Sequence, residues 1–447
     1  MLHFFLNCFL FLISIGMLIT IHEFGHFWIA RKFGVHVEKF SIGIGKVIWN
    51  FFDKKGTEYA ISIFPLGGYV KMLDVNSNFT PNKKFQTFSE QSFWKKFIII
   101  LSGPLHNFLF SIILFWGIFM LGMPSYKIII QDVIPNSEAD QLGISANMEI
   151  KKINDIKVLD WNNIYENFKK DTILIKLIHP NNFITIEKKI KLKNIKLNLN
   201  YDDPIINFGI IPLIPNVSTR IESIALNSPA MQSDFQKDDK IIKINNVEIK
   251  DSWYLLSYIL RKNPNKTLII DIERNNKIIQ KKVLSGTKIV NNVQEGFLGI
   301  TPKMQPIIEK HKTLIYYNPI TALYMSCKKV VHVICMILKM LVKLCIGQLS
   351  LNNLSGPISI AKGMSDSIHH GIVYYIIFLS LISINLGVIN LIPVPVLDGG
   401  HILFLIIEKC LRSPIPKKVQ IISYQIGFTI IIVLMTVAIL NDFFKLK

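Results

Sequence analysis

Four apolar runs, near residues 3–30, 97–123, 372–392 and 421–440, are each long enough to cross a bilayer, which takes about 20 residues of helix. No water reaches the hydrocarbon, so every backbone N–H and C=O there must be bonded within the protein, and runs of this kind fold as helices. Half of the 447 residues are apolar and the mean hydropathy is +0.37. That is too apolar for an ordinary soluble enzyme and too polar for a chain of spans alone. The fold class expected is an α-helical polytopic membrane protein carrying soluble domains. The first run has no cationic leader and no small-residue cleavage site, and reads as a retained span, residues 1–30.

Charge sets the orientation. Between the first two runs, residues 31–96 hold eleven Lys and Arg against five Asp and Glu, and nothing cationic precedes the first. By the positive-inside bias this loop is cytoplasmic, and Lys409, Arg412, Lys417 and Lys418 after the third run fall on the same side. Residues 124 to about 315 are then exported. The net charge of +19 is scattered rather than gathered on an aromatic-studded stripe, which favours the lipid bilayer over nucleic acid as its partner. The five cysteines are odd in number and lack Cys-x-x-Cys spacing, so neither a disulfide framework nor a thiolate zinc site is expected.

The exported region repeats itself. Asn136-Ser-Glu-Ala139 matches Asn227-Ser-Pro-Ala230, and Lys152-Ile-Asn154 with Asp160 matches Lys243-Ile-Asn245 with Asp251, all at one offset. A constant offset means two copies of one domain, residues 124–212 and 213–305. Each reads as a turn, a short helix, two alternating strands, and a helix after Asp160 or Trp253. The pattern resembles PDZ domains, which implies that the copies bind exported chain ends by strand addition. The first copy has Ala146-Asn147-Met148-Glu149 where such domains carry Pro-Gly-Asp. The plain alternative is a pair of packing domains with no peptide ligand. Within 306–371, residues 320–347 are apolar but interrupted by Lys328, Lys329, Lys339 and Lys343, which suits an amphipathic helix at the membrane interface.

His22-Glu23-Phe24-Gly25-His26 closes the first run. Residues four apart share a helix face, so both imidazoles can reach one metal ion, with Glu23 beside it as general base. A carboxylate and two histidines in an apolar run cost at least roughly 2.5–3.5 kcal/mol on insertion scales unless a partner offsets them, and zinc is such a partner. The alternative is a polar patch at the interface just before Arg31 and Lys32. Two imidazoles leave a catalytic zinc short of a protein ligand. Asp398 fits, at the end of Asn385-Leu-Gly-Val-Ile-Asn390-Leu-Ile-Pro393-Val-Pro395-Val-Leu-Asp398, within a broken third span of 372–403. Pro393 and Pro395 free backbone carbonyls, which at membrane depth demands a protein-lined or wet cavity. His401 competes for the ligand role. Asn385 and Asn390 are candidates to hold a substrate backbone, or merely to satisfy the broken helix.

With Pro65-Leu-Gly-Gly-Tyr-Val-Lys-Met72, Gly103-Pro-Leu-His-Asn107 and Ser355-Gly-Pro357, these motifs run in order from residue 22 to 403. Together they resemble the site-2 protease family of intramembrane zinc metalloproteases. The resemblance implies that His22, His26 and Asp398 hold zinc, that Glu23 activates the bound water, and that Asn385 and Asn390 touch substrate. It also implies that residues 57–72, around Gly67 and Gly68, form a membrane-associated β-hairpin that pairs with an unwound substrate. Paired glycines in an alternating stretch support the hairpin itself. His106, inside the third motif, reads as a local variation, with a second metal-ligand role as the lesser alternative. Further implications are a place in the bacterial inner membrane, periplasmic PDZ domains and an active site near the cytoplasmic face. The implied substrates are single-span membrane proteins, an anti-sigma factor of an envelope stress response first and remnant signal peptides second. The rival reading is a non-catalytic PDZ-bearing scaffold whose metal site is structural or decayed.

Overall fold

The computed structural model describes residues 2–73, 86–158, 161–168, 172–179, 185–191, 203–214, 217–290, 293–305, 309–348 and 354–446. Asp74, Lys83 and Lys84 of the first loop, and Asp160 of the repeat, lie outside the described residues. The chain divides into two compact units, one of Met1–Met123 with Tyr316–Lys447 and one of Pro124–Ile315.

In the first unit, helices Leu2–Lys32, Phe93–Leu121, Ile372–Asn390 and Lys417–Leu446 contain the stretches long and apolar enough to cross a membrane. Small polar residues hold the second span to the third. Ser111 and Ser383 both donate to the Asn107 carbonyl at 2.9 Å, and Ser111 also lies 3.1 Å from the Ser380 carbonyl. In lipid the driving force between helices is close packing and such bonds, each worth about 0.6 kcal/mol on average. At the far end of the fourth span, Asp442 accepts the backbone N–H groups of Gly356 (2.9 Å) and Ser359 (3.0 Å). That satisfies the orphan donors at the start of helix Pro357–His370. The lysine-interrupted stretch is helix Pro319–Cys345. It buries Ala322, Val330 and Val333 against the second and third spans and leaves Tyr324, Met336 and Met340 exposed.

The third hydrophobic segment stops at Asn390, turns through the proline stretch, and restarts as helix Asp398–Leu411. Asp398 therefore opens a helix rather than ending one, and its carboxylate stands at the new N-terminus.

The expected hairpin of residues 57–72 is corrected. Its two arms are Val37–Phe52 and Glu58–Met72, the reversal falls at Asp53–Thr57, and Gly67 and Gly68 lie inside the second arm. Asp53 makes this turn by accepting the N–H groups of Lys55 (2.8 Å) and Thr57 (3.0 Å), the usual use of an aspartate in a turn. Each arm is also bent by bulges. Phe40 pairs with both Val70 and Tyr59, and Ser41 with both Tyr69 and Ala60, so the two arms form four lanes. Residues 68–72 pair only with 37–42 among the described residues and form an edge lane. The sheet packs on the first helix, burying Val37 and Phe40 with Phe27 and Ala30.

The second unit has two halves that match one another in several details. Each half has its own core, one around Ile150, Ile153, Ile164 and Ile175, the other around Ile241, Ile244, Leu256 and Ile270. Short helices Glu138–Gln141 and Pro229–Gln232 are capped alike by Ser137 and Ser228. Strands Glu149–Ile153 and Lys240–Ile244 sit at matching places in their sheets. Asn154 and Asn245 adopt positive φ, and their side chains accept the N–H groups of Leu174 (2.8 Å) and Ile269 (2.9 Å). Asparagine tolerates that conformation better than most residues, which is why the repeat is most visible in its turns. In the altered first loop Asn147 takes φ 67°, as Asp238 does in the second copy.

Candidate active site

The site is built where the first helix, the second helix and the Asp398 turn converge. His22 Nε2 lies 3.0 Å and His26 Nε2 3.4 Å from one oxygen, Oδ2, of Asp398, and the two nitrogens are 3.3 Å apart. Tetrahedral zinc with ligands at about 2.05 Å holds neighbouring donors about 3.3 Å apart, so this triangle has the size of a zinc face. Both imidazoles are buried, and Asp398 Oδ2 is a buried oxygen with no hydrogen-bond donor. A cation shared by the three donors would supply what that oxygen lacks. Three protein donors leave the fourth position of a tetrahedron open, as in catalytic rather than structural zinc sites. Among the described residues these three form the one group with metal-binding spacing.

The partners of the outer ring nitrogens set the tautomers. His26 Nδ1 donates to the Ile99 carbonyl at 2.8 Å, which leaves Nε2 as the lone-pair nitrogen facing Asp398. His22 Nδ1 lies 3.2 Å from the Asn107 amide, whose Oδ1 is buried without a partner. Amide nitrogen and oxygen exchange by a half-turn of the side chain. With Oδ1 toward His22, the imidazole donates from Nδ1 and the orphaned oxygen is satisfied. Asn107 is thus a site residue that sequence reading overlooked, although an amide in mid-span carries a cost that was a usable signal.

Close approach of the second helix needs Gly103. A Cβ there would lie 2.3 Å from His26 Nε2 and 2.9 Å from His22 Cε1. Gly25 has the complementary part on the first helix, where a Cβ would meet the Ser102 carbonyl at 2.4 Å.

Glu23, on the same helix as the two histidines, is half-buried and lines a cavity of about 200 Å³ with Ile19, His22, Asn390, Leu397 and Asp398. The backbone N–H of Val70, in the edge lane of the sheet, lies against its carboxylate. Gly68 keeps that lane close, since a Cβ there would stand 3.2 Å from Glu23 Cγ and 3.0 Å from the Ser41 carbonyl. Gly67 faces Ile44 instead. Asn390 brings its amide 3.3 Å from His22 Nε2, whereas Asn385, five residues back and so on another side of the helix, is not among the lining residues. His401 turns toward the Tyr424 hydroxyl at 3.4 Å, and His106 bonds the Ser102 carbonyl at 2.8 Å between Phe24 and Trp28. Neither belongs to the metal-spaced group.

A membrane-embedded His-Glu-x-x-His helix facing a distant aspartate defines a class of peptidase, and comparison with known proteins agrees. The model of peptidase family M50 matches residues 10–434. The chain belongs to this family, the site-2 type of intramembrane metalloprotease. It is 40% identical over 442 residues to the protease RseP of Yersinia pestis, covering 98% of each chain. It is 38% identical over 446 residues to the regulator of sigma-E protease RseP of Escherichia coli K12, again covering 98% of each. A Vibrio cholerae protein named as a zinc metalloprotease is 38% identical over 447 residues, covering 98% of this chain and 99% of its own.

Proposed function

We propose that this protease cuts peptide bonds inside the membrane-spanning helix of single-span proteins, with His22, His26 and Asp398 as zinc ligands and Glu23 as general base. The observation that carries the reading is the meeting of the Glu23 carboxylate and the three-donor triangle at one cavity, with the edge lane 68–72 packed beside Glu23. His22, His26 and Asp398 would hold zinc, which when bound would supply Lewis-acid polarisation of a carbonyl and a more acidic water. Glu23 takes a proton from the water and passes it to the leaving amine. Asn390 holds a substrate carbonyl beside His22. A helical peptide bond is shielded by its own hydrogen bonds, so the substrate must first unwind. Pairing with lane 68–72 replaces the bonds lost and extends the substrate past Glu23.

The remaining assignments rest on the relatives and on charge. The names of the relatives support a role in sigma E regulation. A membrane-spanning anti-sigma factor is then the first substrate class and remnant signal peptides the second. The cation bias supports an inner-membrane protein with residues 31–96 cytoplasmic and the duplicated unit periplasmic, where two PDZ domains select among exported chain ends. The rival, a non-catalytic scaffold, needs neither an open metal position nor an acid beside it.

Glu23→Gln is the test. The full chain, reconstituted in vesicles with a single-span reporter, should retain zinc by metal analysis and lose cleavage by roughly 10²–10⁴-fold. A mutant that cuts as fast as the wild type rejects Glu23 as the base. A wild type that binds zinc and cuts no single-span protein supports the scaffold.

A further inference from the structure

The second unit holds a cationic cavity of about 670 Å³ lined by none of the residues of the proposed hydrolytic site. Its charged and ring-bearing lining is Lys127, Glu149, Lys151, His179, Lys310 and His311. Three ammonium groups against one carboxylate leave a surplus of two positive charges even with both imidazoles neutral. Glu149 is already engaged by Lys151 at 2.6 Å. Among the described residues, neither Lys127 nor Lys310 has a carboxylate partner. His311 adds an unsatisfied atom, for its Nδ1 is buried with no hydrogen-bond partner, and its backbone carbonyl accepts the Lys127 N–H at 2.8 Å. Burial, Lys310 and Lys127 hold the His311 imidazole below its ordinary value, so both ammonium groups act on that ring.

Like charges and an orphaned ring nitrogen around one cavity lack a counter-ion. The donor set specifies its chemistry. Lysines act as compact point charges without the planar fork by which arginine grips a carboxylate, and several of them with imidazole donors suit the tetrahedral oxygens of a phosphate. A volume of a few hundred Å³ also exceeds a bare ion and accommodates the group that carries it. Ile129 and Ile178 offer that group an apolar wall.

We propose that this cavity binds a phosphate group. Lipid and aqueous solution can each provide such a group. Lys127 follows the second span by six residues, and His311 adjoins strand Lys312–Ile315, which pairs with Met123–Tyr126 as the unit begins and ends. A phospholipid headgroup and free phosphate both meet the chemistry.

The test uses the full-length chain in a maltoside detergent, which has no phosphate of its own. Inorganic phosphate and the soluble short-chain lipid dihexanoyl phosphatidylglycerol are titrated separately by calorimetry at low salt. Wild type should bind at least one of them saturably, and Lys127→Gln with Lys310→Gln should weaken that binding about tenfold or more. His311→Phe, which keeps a ring and removes the donor, should weaken it as well. Lys189→Gln with Lys282→Gln, exposed lysines outside the cavity, should bind as wild type. Tighter binding of the lipid identifies a headgroup site, and equal or tighter binding of inorganic phosphate identifies a free-phosphate site. No saturable binding to wild type, or equal binding to wild type and the Lys127/Lys310 variant, overturns the proposal.

Discussion

Each site residue is tuned by its neighbour more than by its own chemistry. Asn107 makes no bond to a metal, yet it fixes which nitrogen of His22 faces Asp398. Replacing such a partner typically costs 10–100-fold in metal affinity. Asn107→Ala should therefore need about that much more free zinc for half-loading, read by competition with a chromophoric chelator. Gly103→Ala should be harsher, because a methyl 2.3 Å from His26 Nε2 displaces that imidazole outright. Purified Gly103→Ala should carry no stoichiometric zinc. Gly117→Ala in the same helix, where a Cβ meets nothing within 4 Å, should load normally.

Among the elements, the hairpin matters most, for it must hold an open edge at the depth of Glu23. The first helix holds it at two heights. Near Glu23 it meets Val70 and Gly68, and at its end Arg31 reaches Asp53 at 2.8 Å and the Tyr59 hydroxyl at 3.1 Å. Eight residues of helix, about 12 Å, separate those contacts, enough to fix the tilt of the sheet. Arg31→Gln should raise KM for a single-span reporter and leave zinc content unchanged. A fall in kcat with unchanged KM would count against a positioning role. Burial pushes the Asp53 carboxyl up, but the Thr57 N–H and the Arg31 guanidinium outweigh it and hold the group below the usual carboxylate range. A depressed folded-state value stabilises the turn above the unfolded value near 3.9, and that contribution is lost as the pH falls through the folded one. Amide exchange across residues 37–72, corrected for intrinsic rate, should be less protected at pH 3 than at pH 5. In Asp53→Asn that difference should largely vanish.

For the whole molecule, the two units call for different solvents. The membrane unit leaves Phe428, Ile430, Val433 and Met435 of its fourth span exposed, a face suited to lipid rather than water. The duplicated unit instead has two closed cores with charged exteriors. Its first and last strands pair with one another. Residues 124–315 expressed alone should consequently be soluble without detergent and unfold cooperatively in urea, followed by far-ultraviolet circular dichroism. A product that aggregates or shows no transition would mean that the unit depends on the membrane part.

What was legible in the sequence is what local physics writes locally. Span lengths follow from bilayer thickness, the His22/His26 pair from helical period, and the likeness between the halves of residues 124–315 from a constant offset between turn residues. Asp398 was legible as well, because two prolines announce a broken segment. The reversal at Asp53 was hidden behind the stronger signal of Gly67 and Gly68, glycines that serve close approach to Ile44 and Glu23 rather than a turn. The amide of Asn107 was visible in mid-span, but its pairing with His22, like the grip of Asp442 on Gly356 and Ser359, was out of reach because each joins residues more than eighty positions apart. No periodicity encodes such a pair. The sequence by itself determined which segments lie in lipid and which side chains can ligate. Only the tertiary structure decided which nitrogen of each imidazole points inward and which strand edge stands open beside Glu23, because both depend on helices and lanes packed at distances of a few ångströms.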